Sequence, residues 1–275
     1  MINTVDRIMV KFYLPADQLG FYAMAAIVIT ALSAISATAG IALVPSLTAA
    51  RVKGGMDTFR KQIRNTTRIT LIALVPIVFA IWSLSEDVLS IVLPKFLPSA
   101  GIVRILVFVG IVDIFCRTSW SALASHAKGG LSASAYLFAA LLNVALNAIL
   151  IPRMGITGAA IATLATFLVL AVILQVMMYS ISRTRISPIS LLHPLVLSLI
   201  YPLLSFATGS LSSWSRIVIV LVAGSAVYKL LAAVTGLIRI SDLETDEGTL
   251  RQREHIAHVR IALFGLGILK RFTRR

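Results

Sequence analysis

The chain alternates between long apolar runs and short stretches that carry its charge. A helix needs about 20 mostly apolar residues to span the hydrocarbon core of a bilayer. On that measure eight segments stand out: A 1–13, B 20–49, C 67–84, D 101–126, E 131–151, F 158–181, G 189–208 and H 214–237. Residues 238–275 form a tail that is polar and then basic. Each segment has to be helical, because backbone in lipid must satisfy its own hydrogen bonds and an open sheet edge cannot. The runs are also too long for barrel strands and lack strict alternation. The expected fold class is therefore all-α, a polytopic transmembrane helix bundle of about eight segments. Segment A is the odd one, since 13 residues rise only about 20 Å against a core of about 30 Å. It either spans incompletely or lacks its first half.

The polar stretches supply an orientation, because Lys and Arg concentrate on the cytoplasmic side of membrane proteins. The B–C stretch holds Arg51, Lys53, Arg60, Lys61, Arg64 and Arg68, D–E holds Lys128, and F–G holds Arg183 and Arg185. The tail adds Arg239, Arg251, Arg253, Arg260, Lys270, Arg271, Arg274 and Arg275. The opposite side carries only Lys95, Arg104, Arg153 and Arg216. Because the two sets alternate strictly, they support both the segment count and a multi-pass cell-membrane protein with its N- and C-termini cytoplasmic. The start Met1–Arg7 lacks the basic flank and apolar core of a cleavable signal. In the tail, Ser241-Asp242-Leu243-Glu244 has capping-box spacing. The apolar stretch from Val259 to Leu269 suits a helix lying at the cytoplasmic interface near anionic lipid.

Composition agrees. Hydrophobic residues make up 58% of the chain and charged ones 13%, about half the usual soluble fraction, and the mean hydropathy is +0.94. The net charge of +14 would suggest nucleic acid in a soluble protein. Here it is explained by topology, and no nucleic-acid partner is expected. The single cysteine, Cys116, lies in an apolar run, and the four histidines are scattered. No metal site, cofactor or catalytic constellation is therefore expected.

Ionisable groups at membrane depth cost at least about 2.5–3.5 kcal/mol on insertion scales, so each is informative. Arg7 and Lys11 are four apart in A and share a face. They either line a wet cavity that holds an anion or snorkel toward the cytoplasmic surface. Asp113 and Arg117 in D are four apart with opposite signs. They are either a self-neutralising pair or a gate whose Arg117 an anion frees. Asn143 and Asn147 share one face of E, where amides bond across a helix interface or touch substrate. These six residues form the candidate substrate-binding set. Arg104, near the outer end of D, faces outer-leaflet phosphate, and Lys229 in H snorkels or contacts substrate. His126 is expected to be a plain boundary residue. Pro45, Pro76 and Pro202 fall inside B, C and G, where they are either tolerated or provide bends that let helices rock.

Two stretches carry a family resemblance. The first is Asp6-Arg7-Ile8-Met9-Val10 followed by Leu19-Gly20-Phe21-Tyr22-Ala23-Met24-Ala25. The second, more specific, runs Leu142-Asn143-Val144-Ala145-Leu146-Asn147 and then Leu150-Ile151-Pro152-Arg153-Met154-Gly155-Ile156-Thr157-Gly158-Ala159-Ala160-Ile161-Ala162-Thr163. Together they resemble the polysaccharide-flippase branch of the multidrug/oligosaccharidyl-lipid/polysaccharide flippase superfamily. The C–D stretch Leu93-Pro94-Lys95-Phe96-Leu97-Pro98 departs from the glycine many relatives have there. The resemblance implies two pseudo-symmetric lobes in a full member. This chain would supply the second lobe over 1–184, two additional helices over 185–238 and a basic tail over 239–275. A would then be a helix cut near its middle.

The function so implied is a flippase moving a polyprenyl-(pyro)phosphate-linked oligosaccharide by alternating access. Its partners would be that lipid-linked substrate, membrane lipid, and either a separate first lobe or a second copy of the chain. A drug or ion exporter of the same superfamily and a non-transporting fragment are the alternatives. A membrane-embedded glycan polymerase or acyltransferase is disfavoured, because the longest outer stretch, residues 85–100, offers Glu86, Asp87 and Lys95 but no histidine.

Overall fold

Two glycines turn the apolar segments into a bundle. The structure, a computed structural model, describes residues 2–186 and 189–235. Its helices are α1 (Ile2–Tyr13), α2 (Ala16–Val92), α3 (Ala100–Ser125), α4 (Gly129–Ser182), α5 (Ile189–Ser198), α6 (Ile200–Ala207) and α7 (Ser213–Val234), with a 3-10 turn at Pro94–Ser99. Residues up to Leu231 form one compact unit, and the remainder, from Ala232, forms a second. Only residues 232–235 of that second unit are described. The expected interfacial helix and capping box of the tail lie outside the described residues.

α2 and α4 are each two helices joined at one residue. Gly55 has φ 69° and ψ −167°, and Gly155 has φ 61° and ψ −142°. A side chain all but closes that backbone region. α2 folds back on itself there. Leu43 and Leu47 cluster with Phe59 and Ile63 near the bend, and Leu32 clusters with Leu71 and Leu74 further along. With the limbs counted separately, α1, the α2 pair, α3, the α4 pair, α5 with α6, and α7 correspond in order to segments A to H. This is an all-α, multi-pass membrane bundle.

Hydropathy misplaced several boundaries. The limbs 16–54 and 56–92 are each more than 50 Å long at about 1.5 Å per residue, well beyond a core of about 30 Å. The basic B–C stretch is therefore helix continuing past lipid, not loop. Apolarity marks the lipid-embedded part of a helix and is silent on the rest. Likewise residues 85–92 are helix, and Glu86 and Asp87 are paired. Glu86 meets Arg104 Nη1 at 2.8 Å, and Asp87 accepts two bonds from Arg216 Nη1 at 3.0 and 3.2 Å. Arg104 also lies over the Trp82 ring. It is thus occupied by protein groups rather than offered to outer-leaflet phosphate. Segment G is broken. Pro202 has no N–H for the Ser198 carbonyl, and the helix stops at Ser198 and resumes at Ile200. Pro45 and Pro76 sit inside α2 without interrupting it.

The core forms around α3, which packs against both α2 and α4. Small residues permit close approach where lipid gives no hydrophobic push between helices. Ala25, Ala26, Ala135, Ala139, Ala159 and Ala160 are all buried in one cluster with Leu106 and Val109. Ser121 Oγ lies 2.8 Å from both the Gly40 carbonyl on the first limb of α2 and the Arg117 carbonyl of its own helix, and its one proton serves either, at the point where α3 and α2 meet. At Gly158 a Cβ would collide with the Leu150 carbonyl, so this glycine lets the two limbs of α4 cross.

The glycine turns make a direct stability prediction. Gly155→Ala is expected to lower the unfolding free energy by about 1–3 kcal/mol from backbone strain alone. Nothing but Gln18 Oε1, at 3.5 Å, lies near its added Cβ. Gly101→Ala, a helical position with open space, should be neutral or stabilising. Thermal unfolding of the detergent-solubilised protein separates the two.

Candidate functional site

One face of α3 carries the chemistry. Asp113, Arg117 and Trp120 are four and three residues apart and project from one side. They open into a cavity of about 650 Å³ between α3, the first limb of α2 and both limbs of α4. Its other walls are Thr30 and Ser33 of α2, Ala133, Tyr136, Leu137 and Ala140 of the first α4 limb, and Phe167 of the second. Arg117 Nε donates to Asp113 Oδ2 at 3.3 Å, long for a charge-assisted bond, which is usually about 2.7–2.9 Å. The Asp113 side chain is 2% exposed and that of Arg117 is 38% exposed. The two terminal amino groups of Arg117 have no partner among the described residues. A buried carboxylate thus holds a guanidinium by one nitrogen and leaves the rest of its fork open to the cavity.

A second polar cluster is sealed away. Asp6 of α1 is fully buried. Its Oδ1 accepts from Asn147 Nδ2 at 2.8 Å, and its Oδ2 faces Thr163 Oγ1 at 2.8 Å and the Tyr22 hydroxyl at 3.1 Å. Asn147 Nδ2 also reaches Asn143 Oδ1 at 3.1 Å. Thr163 Oγ1 stands 2.9 Å from the Ala159 carbonyl as well. With one hydroxyl proton it serves a single acceptor at a time, and the carboxylate is the stronger one. Four segments, α1, the start of α2 and both limbs of α4, are tied through this carboxylate. Asn143 Nδ2 and Asn147 Oδ1 remain enclosed and unpartnered.

The six predicted residues thus separate. Asp113 and Arg117 line the cavity, whereas Asn143 and Asn147 belong to the Asp6 cluster. Arg7 is half-buried with its Nε enclosed and unpartnered, and Lys11 is exposed. Neither lines the cavity. Lys229 is exposed. His126 caps α3, its Nδ1 3.0 Å from the Ala122 carbonyl and its ring edge-on to Phe59. The sequence reading missed Tyr22 and Thr163 as partners of Asp6, although all three sit in the two family-like stretches. It also missed Ser33, Thr30, Trp120 and Tyr136. Only Trp120, three residues after Arg117, gave a usable signal. Among the described residues no three His, Cys, Asp or Glu side chains gather into a metal site.

The long apolar helices form a membrane-spanning bundle with a polar site in its interior. Its fold is similar to a solved structure of the lipid II flippase MurJ in an inward closed conformation. The TM-score is 0.71 and the sequence identity 18%, with 87% of this chain and 52% of that one covered. The chain therefore spans about half the length of the flippase it matches. No protein-family model matches the sequence, and no curated protein matches it.

Removing donors from Asp6 should destabilise the bundle. Thr163→Val and Asn147→Leu are each expected to cost about 1–3 kcal/mol, the penalty for stranding a buried polar group. Asp6→Asn should recover part of the loss in the Asn147→Leu protein, because a neutral amide is cheaper to bury than a carboxylate. Chemical unfolding in detergent micelles gives both numbers.

Proposed function

We propose that the chain is the second lobe of a flippase that carries a polyprenyl-(pyro)phosphate-linked oligosaccharide across the cell membrane by alternating access. The observation that carries this is Arg117, whose open guanidinium fork faces a large cavity inside a bundle of flippase type. A phosphate suits such a fork, because guanidinium binds planar oxyanion edges with two parallel bonds. The mostly apolar walls around it suit the lipid end of the same molecule. A cationic-drug exporter fits less well, since a cation would meet an uncovered positive group. Because the chain spans about half of the matched flippase, a separately encoded first lobe or a second copy of the chain is its proposed partner. The basic bend of α2 around Gly55, the C-terminal end of α3 and both ends of α4 face the cytoplasm in this proposal, as do both termini.

Native mass spectrometry of the purified protein with a short-chain polyprenyl-pyrophosphate oligosaccharide tests the substrate. Binding is expected, and Arg117→Ala should weaken it about 10- to 100-fold, the value of one charge-assisted phosphate contact. A ligand bound equally well by the variant would sink the assignment of Arg117. No binding by either protein would sink the function.

Orientation is tested by cysteine labelling, because Cys116 is buried and contributes little background. A membrane-impermeant maleimide added outside intact cells should label Arg153→Cys and spare Lys53→Cys. The reverse pattern would invert the topology.

A further inference from the structure

Asp113 is the nearest charged group to the cation that faces the cavity. Asp113 approaches Arg117 only at Nε, at 3.3 Å. It is on the same helix, one turn away, and is itself buried, so it cannot leave. Arg117 is therefore never without a counter-charge, yet the two amino groups that would grip a phosphate are not the nitrogen that Asp113 holds. An incoming phosphate can take the open fork without first breaking the internal bond. It then places its own negative charge beside a fixed carboxylate, in a site whose other walls are mostly apolar and screen little.

We infer that Asp113 is a positioning residue that weakens phosphate binding at Arg117, so that the anion is held loosely and released readily. This rests on the flippase reading of the same cavity. A carrier needs such a device. A site that binds its cargo equally well throughout the cycle shifts no equilibrium, and one that binds too tightly does not let go. Asp113 supplies a permanent repulsion for the cargo. Trp120 lies on the cavity wall next to Arg117, and its indole reports occupancy. The chemistry recognised is a phosphate or pyrophosphate group, whether free or at the head of a lipid.

The experiment uses the full chain in micelles, with Trp82 and Trp214 changed to Phe so that Trp120 alone emits. Inorganic pyrophosphate and a short-chain polyprenyl pyrophosphate are titrated separately. Calorimetry on the unaltered chain checks the affinities. Asp113→Asn is expected to bind both probes about tenfold more tightly. The gain should appear in the dissociation rate, and Asp113→Glu should restore the original affinity. A purely structural role predicts the opposite sign, with Asp113→Asn binding more weakly. That result, or an unchanged affinity, overturns the inference while leaving the flippase reading intact. If Asp113→Asn does not fold, Asp113→Ser replaces it, with the same tighter binding and slower release expected and an unchanged or weaker affinity overturning the inference. Pyrophosphate binding without any binding of the lipid form would keep the inference and sink the flippase reading. Binding of neither probe sinks both.

Discussion

Hydrocarbon offers no water to an unsatisfied backbone group, and this constraint shapes the rest of the molecule. It forces each apolar segment into helix. The two limbs of α2, and the two of α4, meet at a single glycine. Turning in one residue leaves few backbone groups without helical partners. Where proline removes a donor in segment G, the helix stops and restarts within one residue. Polar side chains obey the same rule, since Ser and Thr throughout the bundle donate to carbonyls of their own helices three or four residues back.

The Asp6 cluster and the Asp113–Arg117 pair are opposite answers to burying charge. Asp6 is surrounded by neutral donors from other segments, and its burial stitches those segments together. Asp113 is answered chiefly by a cation on its own helix, with Ser33 of α2 as its neighbour across the interface, and it leaves a polar face toward a cavity. The first arrangement is architectural, whereas the second is available for chemistry.

Segment count and order were legible because hydropathy reports burial in lipid directly. Helix ends were not, because a helix that leaves lipid changes its residues without changing its backbone. This is why Arg51 to Arg68 resembled a loop and why Glu86 and Asp87 looked unpaired. Within the site, spacing of four placed Asp113 with Arg117, and Asn143 with Asn147, on common faces. Spacing within one helix says nothing of what lies opposite. So the partners of the asparagines, Asp6 across the bundle and Thr163 on the returning limb, emerged only with the fold. For the same reason Arg7 and Lys11 shared a face, as expected, yet that face does not border the cavity.

Helix α7 is fastened to the second limb of α2 at two well-separated heights. Arg216 grips Asp87 near one end, and the Tyr228 hydroxyl donates to the Ile72 carbonyl at 2.9 Å near the other. Two attachments 12 residues apart hold α7 alongside that limb and resist its tilting. The first limb of α4 meets the cavity differently, through Ala133, Leu137 and Ala140 with Tyr136 among them, and none of these four is bonded across to another helix there among the described residues.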